Sequence, residues 1–203
     1  METNEGKVFK KEFDKSFDEI DGLKWYPWVG KDYKDTLILG ESHYEWNYAD
    51  EDEATWLGSK EFTRNRTAGP ALNENKNEPY FRNFERAYFG VSDVKIEDAR
   101  KLWLSVAHFN LVQRVMSSIN ERPNIEDYRK GWEVAFKVAE LLKAENIIML
   151  GSETKKVQPF RQFLNAKGII VLPENEVWSK QTLGSRSYGI AFKLENPSLK
   201  RVI

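Results

Sequence analysis

The sequence predicts an α/β protein, a three-layer sandwich whose mainly parallel central sheet is flanked by helices. Short apolar runs recur along the chain, several end in glycine, and longer segments with helical spacing lie between them. Strands that are apolar along their whole length are typical of parallel sheets covered on both faces. The chain has 203 residues and no glycine- or serine-rich linker. We therefore expect a single domain over residues 1–203.

The first predicted elements are an amphipathic helix and a buried strand. Apolar residues at helical spacing predict an opening helix with these side chains on its inner face: Phe9, Phe13, Phe17 and Ile20. The apolar run 36–39 ends in Gly40, which is typical of a buried strand followed by a tight turn.

Strand and helix patterns then alternate to the end of the chain. The apolar runs 104–112 and 146–150 predict strands, and a helix of about 125–144 separates them. Another helix is predicted at about 153–164, with strand candidates at 169–172 and 188–194. We expect the strands near 36–40, 104–112, 146–150 and 188–194 to share one sheet.

Composition excludes several classes of protein. There are no cysteines, so disulfide frameworks, thiol nucleophiles and cysteine-ligated metal sites are excluded. With two histidines, a three-histidine metal site cannot be built, and no metal or cofactor is expected. With a net charge of -1, the protein lacks the excess of basic residues that would hold it on DNA by charge alone. The sequence also lacks a membrane-spanning run and a signal peptide, so we expect a cytoplasmic protein. We further expect a monomer.

Small and polar residues follow the predicted strands, where ligands of open α/β sheets collect. Gly40, Glu41, Ser42, His43 and Tyr44 follow the first strand. Asn110 lies near the end of the second, two residues after His108, and Asn196, Pro197 and Ser198 follow the last. We expect five of these side chains to meet in one pocket at one edge of the sheet: Glu41, His43, Tyr44, Asn110 and Asn196.

Each candidate side chain has a chemical use and a plainer alternative. Glu41 and His43 can position water or move protons, but a surface carboxylate and a hydrogen-bonded loop histidine are alternatives. An asparagine such as Asn110 can read the donor and acceptor edge of a base, or it can bond to a neighbouring loop. For His108, a satisfied core histidine is the favoured interpretation.

In order and spacing these segments resemble the uracil-DNA glycosylase superfamily. The stretch 40–44 is similar to the family's glycine-led loop, and 106–112 to its strand with a base-reading asparagine. Residues 147–156 resemble its strand, glycine and basic helix start, and 196–198 its closing His-Pro-Ser loop. Ser42, His43 and Asn196 depart from the family's usual aspartate, proline and histidine, so uracil specificity cannot be carried over.

The resemblance implies an enzyme that hydrolyses the N-glycosidic bond of a uracil or modified base flipped out of DNA. The implied catalytic residues are Glu41, His43 and Asn196: Glu41 or His43 positions water, and Asn196 stabilises the departing base. The implied substrate-binding residues are Gly40, Ser42, Tyr44, Asn110 and Ser198, with Tyr44 as a pocket wall. DNA is the expected partner, and no cofactor is implied.

Two other functions compete with this one. The departures at Ser42 and Asn196 favour a catalytically inactive nucleic-acid-binding or interaction module on the same fold. Gly40, Glu41 and His43 also resemble the Gly-Glu-x-x-His loop of erythromycin-esterase-type hydrolases, although the histidine comes one residue early.

Residues outside the motifs supply candidates for stacking and phosphate contact. Trp25, Trp28 and Trp46 can stack on a base or cover the edge of the core. Five cations are predicted in loops or at helix starts, where they can contact phosphates or remain solvated: Arg64, Arg66, Lys155, Lys156 and Arg186.

Overall fold

The computed structural model describes residues 8–45, 57–72, 78–151, 154–166, 176–177 and 189–193. Its helices are α1 (Asp14–Asp18), α2 (Phe62–Leu72), α3 (Pro79–Phe89), α4 (Ile96–Ser105), α5 (Ile125–Leu141) and α6 (Thr154–Ala166). Its strands are β1 (Trp28–Val29), β2 (Thr36–Gly40), β3 (His43–Tyr44), β4 (Val106–Asn110), β5 (Val115–Met116), β6 (Asn146–Leu150), β7 (Glu176–Val177) and β8 (Gly189–Lys193).

The four predicted strands lie in one mixed sheet of six strands, together with β1 and β7, in the order β1-β4-β2-β6-β8-β7. β2 lies at the centre and pairs in parallel with β4 and β6. Three of the four five-residue strands are thus parallel, which confirms a mainly parallel sheet. β8 pairs antiparallel with β6, and the short strands β1 and β7 are also antiparallel to their neighbours. β3 and β5 form a separate two-stranded sheet.

Alternating side chains of the central strands face two helical layers. Leu37 and Leu39 belong to a core with α5 and α6, whereas Ile38 belongs to a second core with α3 and α4. Because successive side chains of a strand point to opposite faces, both faces of β2 are buried. The prediction of a mainly parallel central sheet flanked by helices is confirmed.

The long helix α5 begins at a well-formed cap. The Asn124 side chain accepts hydrogen bonds from the backbone N–H groups of Glu126 and Asp127, and the Asp127 side chain accepts from the Asn124 backbone. This reciprocal arrangement satisfies N–H groups that a helix start leaves without partners. The helix ends at Leu141, three residues before the predicted end.

Two sequence predictions are wrong in their boundaries. The opening helix covers only Asp14–Asp18, because Phe9 forms a β-bridge with Gly30 instead of joining the helix. The apolar run 104–112 is not one strand, since its first two residues end α4 and β4 starts at Val106. Helix α6 and strand β8 lie close to their predicted bounds, while 169–172 is outside the described residues.

Among the described residues, no helix is both long and apolar enough to cross a membrane.

Candidate functional site

The parallel strands β2 and β4 end side by side at the candidate site. Gly40 pairs with Asn110 in the strand register. A Cβ atom at position 40 would lie under 3.0 Å from the Asn110 Oδ1 atom and from the Tyr80 hydroxyl. Glycine therefore permits two polar side chains to approach the strand end, which is the close approach for which this residue is suited.

His43 is held between an amide and a hydroxyl. Its Nδ1 lies 3.1 Å from Asn110 Nδ2, and its Nε2 lies 3.1 Å from Thr63 Oγ1. With the Asn110 amide donating to Nδ1, the ring proton lies on Nε2 and is donated to the Thr63 hydroxyl. Edge-on contacts with Trp25 and Phe62 fix the plane of the ring, with centroids 4.8 and 4.7 Å away.

His108 sits in a second chain of hydrogen bonds beside the first. Thr67 Oγ1 donates to the Thr63 carbonyl at 2.9 Å, so it accepts from His108 Nδ1 at 3.0 Å. This leaves His108 Nε2 to accept from the Tyr80 hydroxyl at 3.3 Å. His108 is therefore a satisfied core histidine that also orients a tyrosine hydroxyl.

Both imidazoles are neutral near pH 7. Burial, reinforced by His108, Arg66 and Lys24, lowers the pKa of His43 to about 3. Burial lowers the pKa of His108 to about 3 as well. The pKa of Tyr80 is raised by burial and by the charge of Glu41, so its hydroxyl stays protonated. The cluster thus offers neutral donors and acceptors.

A cavity of about 200 Å³ opens beside these chains. Its aromatic walls are Tyr44, Phe62, Tyr80 and Phe81, and its polar lining includes His43, Thr63 and His108. Arg66 and Glu78 also line it and form an ion pair of 3.0 Å, in which 48% of the Arg66 side chain is exposed. Ligand pockets for drug-sized molecules have volumes of about 300–1,000 Å³, so this cavity suits one small ring.

Glu41 points to the other helical layer. Its Oε1 accepts from Tyr128 of α5 at 2.9 Å and lies 3.3 Å from Lys156 Nζ of α6. Its Oε2 accepts from Tyr44 and from Arg122, each at 3.2 Å. Burial acts to raise the pKa of Glu41, but Lys156, the Tyr128 hydrogen bond and Arg122 outweigh it and lower the pKa below its usual value.

The predicted single pocket is therefore only partly formed. His43 and Tyr44 line the cavity, whereas Glu41 bonds to α5 and α6 on the opposite side of the sheet. Asn110 is 6% exposed and contacts His43, so it lies behind the imidazole and does not line the cavity. The prediction that Glu41 and Asn110 face one pocket is wrong.

The other predicted site residues differ in their surroundings. Ser42 is 9% exposed, and its hydroxyl has no hydrogen-bond partner among the described residues. Gly40 lies at the site through its close contacts. Asn196 and Ser198 lie outside the described residues, as do Trp46 and Arg186.

Four of the residues proposed for stacking or phosphate contact are structural. Trp25 and Trp28 are fully buried. Arg64 is also buried and bonds to Asp14, to Glu61 and to the Pro27 carbonyl. Lys156 is 1% exposed and donates to the Leu150 carbonyl at 2.7 Å. Arg66 and Lys155 keep exposed side chains, and of these two Arg66 lines the cavity.

Sequence reasoning missed the residues that α2 and α3 contribute. Thr63 and Thr67 lie one helical turn apart on the buried side of α2, and Tyr80 lies in the first turn of α3. The spacing of two threonines four residues apart was the available signal, because it puts both hydroxyls on one helix face.

The described residues contain no group of three or more potential ligands that could hold a metal ion. The erythromycin-esterase interpretation needs further histidines and carboxylates at its histidine. Here the carboxylate of Glu41 bonds to α5 and α6 and not to His43. Neither this contact nor the lack of a ligand cluster among the described residues supports the erythromycin-esterase interpretation. What the arrangement offers is hydrogen bonding by neutral groups inside an aromatic cavity.

Protein-family models, curated proteins and solved structures were compared with the chain, and none of them matches it.

Proposed function

We propose that the cavity receives a uracil or modified base flipped out of DNA, and that the protein hydrolyses its N-glycosidic bond on a uracil-DNA glycosylase-like fold. The observation that carries the proposal is the aromatic-walled cavity beside the ends of two parallel strands, lined by neutral imidazoles, with Thr63, His43 and Asn110 in one hydrogen-bonded chain. Base-modifying enzymes read a flipped base by stacking and by hydrogen bonds to its edge.

His43 acts as a neutral group in this reaction. His43 Nε2–H donates to Thr63 Oγ1, and among the described residues the Thr63 hydroxyl has no acceptor of its own. In the proposed reaction it donates into the cavity that Thr63 lines. A neutral imidazole can support a donor to developing negative charge without giving up its own proton. Asn110 fixes the ring and its tautomer, as a third group does in catalytic triads.

The overall reaction needs only water. The water oxygen bonds to the sugar carbon, the bond from that carbon to the base nitrogen breaks, and the base leaves with the electron pair. The proton released by water balances the negative charge of the base. Thr63, supported by His43, stabilises that charge, while Tyr44 and Tyr80 stack on the ring.

The test is a screen of oligonucleotides carrying uracil and varied modified bases, with abasic sites detected by strand cleavage in alkali. We expect release of at least one base, and a loss of roughly 100-fold in Thr63→Val, which removes the hydroxyl and keeps the shape. Tyr88→Phe is the matched control, because Tyr88 is 51% exposed and does not line the cavity. Absence of release from every substrate would refute the proposal.

A binding module without chemistry is the second candidate. One observation favours it: both nitrogens of each imidazole are occupied by protein partners, and neither ring has a pKa near neutrality. A general base works best when its pKa lies near the working pH. This alternative predicts binding of the same oligonucleotides with no abasic sites.

A further inference from the structure

The carboxylate of Glu41 is surrounded by four donors from the protein. Tyr128 and Lys156 approach one carboxylate oxygen, and Tyr44 and Arg122 approach the other, all within 3.3 Å. A carboxylate has about four acceptor positions, so this set uses them. The side chain is 19% exposed, and it does not line the cavity.

The lysine that faces Glu41 is a buried part of the fold. Lys156 is 1% exposed, bonds to the Leu150 carbonyl and lies 5.9 Å from the Tyr128 ring centroid. Gly151, with φ of +80°, provides the space, because a Cβ atom there would lie 3.2 Å from the lysine nitrogen. The pair is therefore fixed between the end of β6 and the first turn of α6.

Tyr44 links this ion pair to the cavity. Its hydroxyl donates to Glu41 Oε2 at 3.2 Å, and the residue lines the cavity on the other side. Arg122 bonds to the same carboxylate oxygen and to the Tyr44 hydroxyl, which closes a triangle of contacts. The backbone of Tyr44 is tied to Met116 through the pairing of β3 with β5.

We infer that Glu41 is a positioning residue that holds Tyr44 as a wall of the cavity through the Tyr44 hydroxyl, and that it does not handle water. This inference rests on the proposed function for its kinetic consequence. It assigns Glu41 a role distinct from the water-positioning role that its place in the loop suggests. Glu41 acts on the substrate through Tyr44, and its ion pair with Lys156 fixes it in place.

The kinetic test compares Glu41→Gln, Tyr44→Phe and the double variant. We expect each single variant to raise KM about fivefold, as for the loss of one hydrogen bond, with kcat within about threefold of wild type. Because Glu41→Gln weakens and Tyr44→Phe removes the same contact, the double variant should match Tyr44→Phe and not multiply the effects of the single variants. A loss of 100-fold or more in kcat for Glu41→Gln, typical of a lost general base, would overturn the inference.

A second readout does not depend on enzymatic activity. Nitration of tyrosines by tetranitromethane, followed by peptide mass analysis, reports the access to Tyr44, with the exposed Tyr88 as a control in the same sample. We expect Tyr44 to be modified several times faster in Glu41→Gln, while Tyr88 is unchanged.

The two readouts separate the possible failures. If Tyr44 is nitrated at the same rate in Glu41→Gln as in the wild type, the inference that Glu41 holds Tyr44 is refuted, even if the wild-type protein releases bases. If no base is released but Tyr44 is nitrated faster in Glu41→Gln, the proposed function is refuted, while the inference that Glu41 holds Tyr44 stands. If Glu41→Gln does not fold, Tyr44→Phe decides alone: an unchanged KM would overturn the inference.

Discussion

Removing Glu41 and removing Lys156 should have unequal effects on stability, because only the lysine of this ion pair is fully buried. Glu41→Leu leaves the Lys156 ammonium, 1% exposed, without its carboxylate. Stranding a buried charge costs about 3–5 kcal/mol. Lys156→Met leaves a carboxylate that is 19% exposed and still accepts hydrogen bonds from Tyr128, Tyr44 and Arg122. For Lys156→Met we expect the free energy of unfolding to fall by about 1–3 kcal/mol, because the carboxylate keeps its other hydrogen-bond donors.

The double variant Glu41→Leu/Lys156→Met supplies the control. It removes both charges, and replacement of a buried pair by apolar residues is often nearly neutral. We therefore expect it to recover about 2 kcal/mol or more relative to Glu41→Leu. The measurement is urea unfolding followed by tryptophan fluorescence, with the free energy of unfolding extrapolated to water. Equal losses in the two single variants, or additive losses in the double variant, would refute the reasoning.

Three further predictions concern the cavity. The folded-state pKa values of His43 and His108 are about 3, so the unfolded chain binds more protons below about pH 6.5. The free energy of unfolding should therefore fall on acidification from pH 6.5 towards 5, by up to about 1.4 kcal/mol per pH unit for each histidine. In His108→Asn this fall should be smaller by the contribution of His108. Gly40→Ala should lower the free energy of unfolding by about 1–3 kcal/mol, because its Cβ collides with the Asn110 amide. Thermal unfolding measures this loss, and an unchanged melting temperature would contradict the close approach. Binding to DNA should weaken with salt, and Arg66→Ala should lower the slope of log affinity against log salt by about one, as for the loss of one phosphate contact; an unchanged slope would exclude that contact.

The central strands could be predicted because each is apolar along its length. The runs at 36–40 and 146–150 match β2 and β6 in their bounds, and the helix between β4 and β6 carries a clear apolar face. The direction of β8 could not be predicted, because an apolar run covered on both faces has the same pattern in either direction. The end of α4 could not be predicted either, because the buried Leu104 at the end of the helix continues the apolar run of the strand that begins at Val106.

The division of the site follows from strand register, which the sequence alone does not provide. Gly40 and Asn110 are partners in the parallel pair β2 and β4, so their side-chain positions share a face. Glu41 comes one residue later, and its side chain lies on the opposite face with α5 and α6. His43 returns to the Asn110 side through the short strand β3. Its partner Thr63 comes from α2, whose weakly apolar sequence gave no clear helical pattern.

The most direct measurement of the central claim is a crystal structure with a bound oligonucleotide carrying a modified base. We predict that the flipped base lies in the cavity, against the rings of Tyr44 and Tyr80, with a polar atom of its edge within hydrogen-bond distance of the Thr63 hydroxyl. A base that stays in the stack, or that binds elsewhere while this cavity remains empty, would contradict the claim.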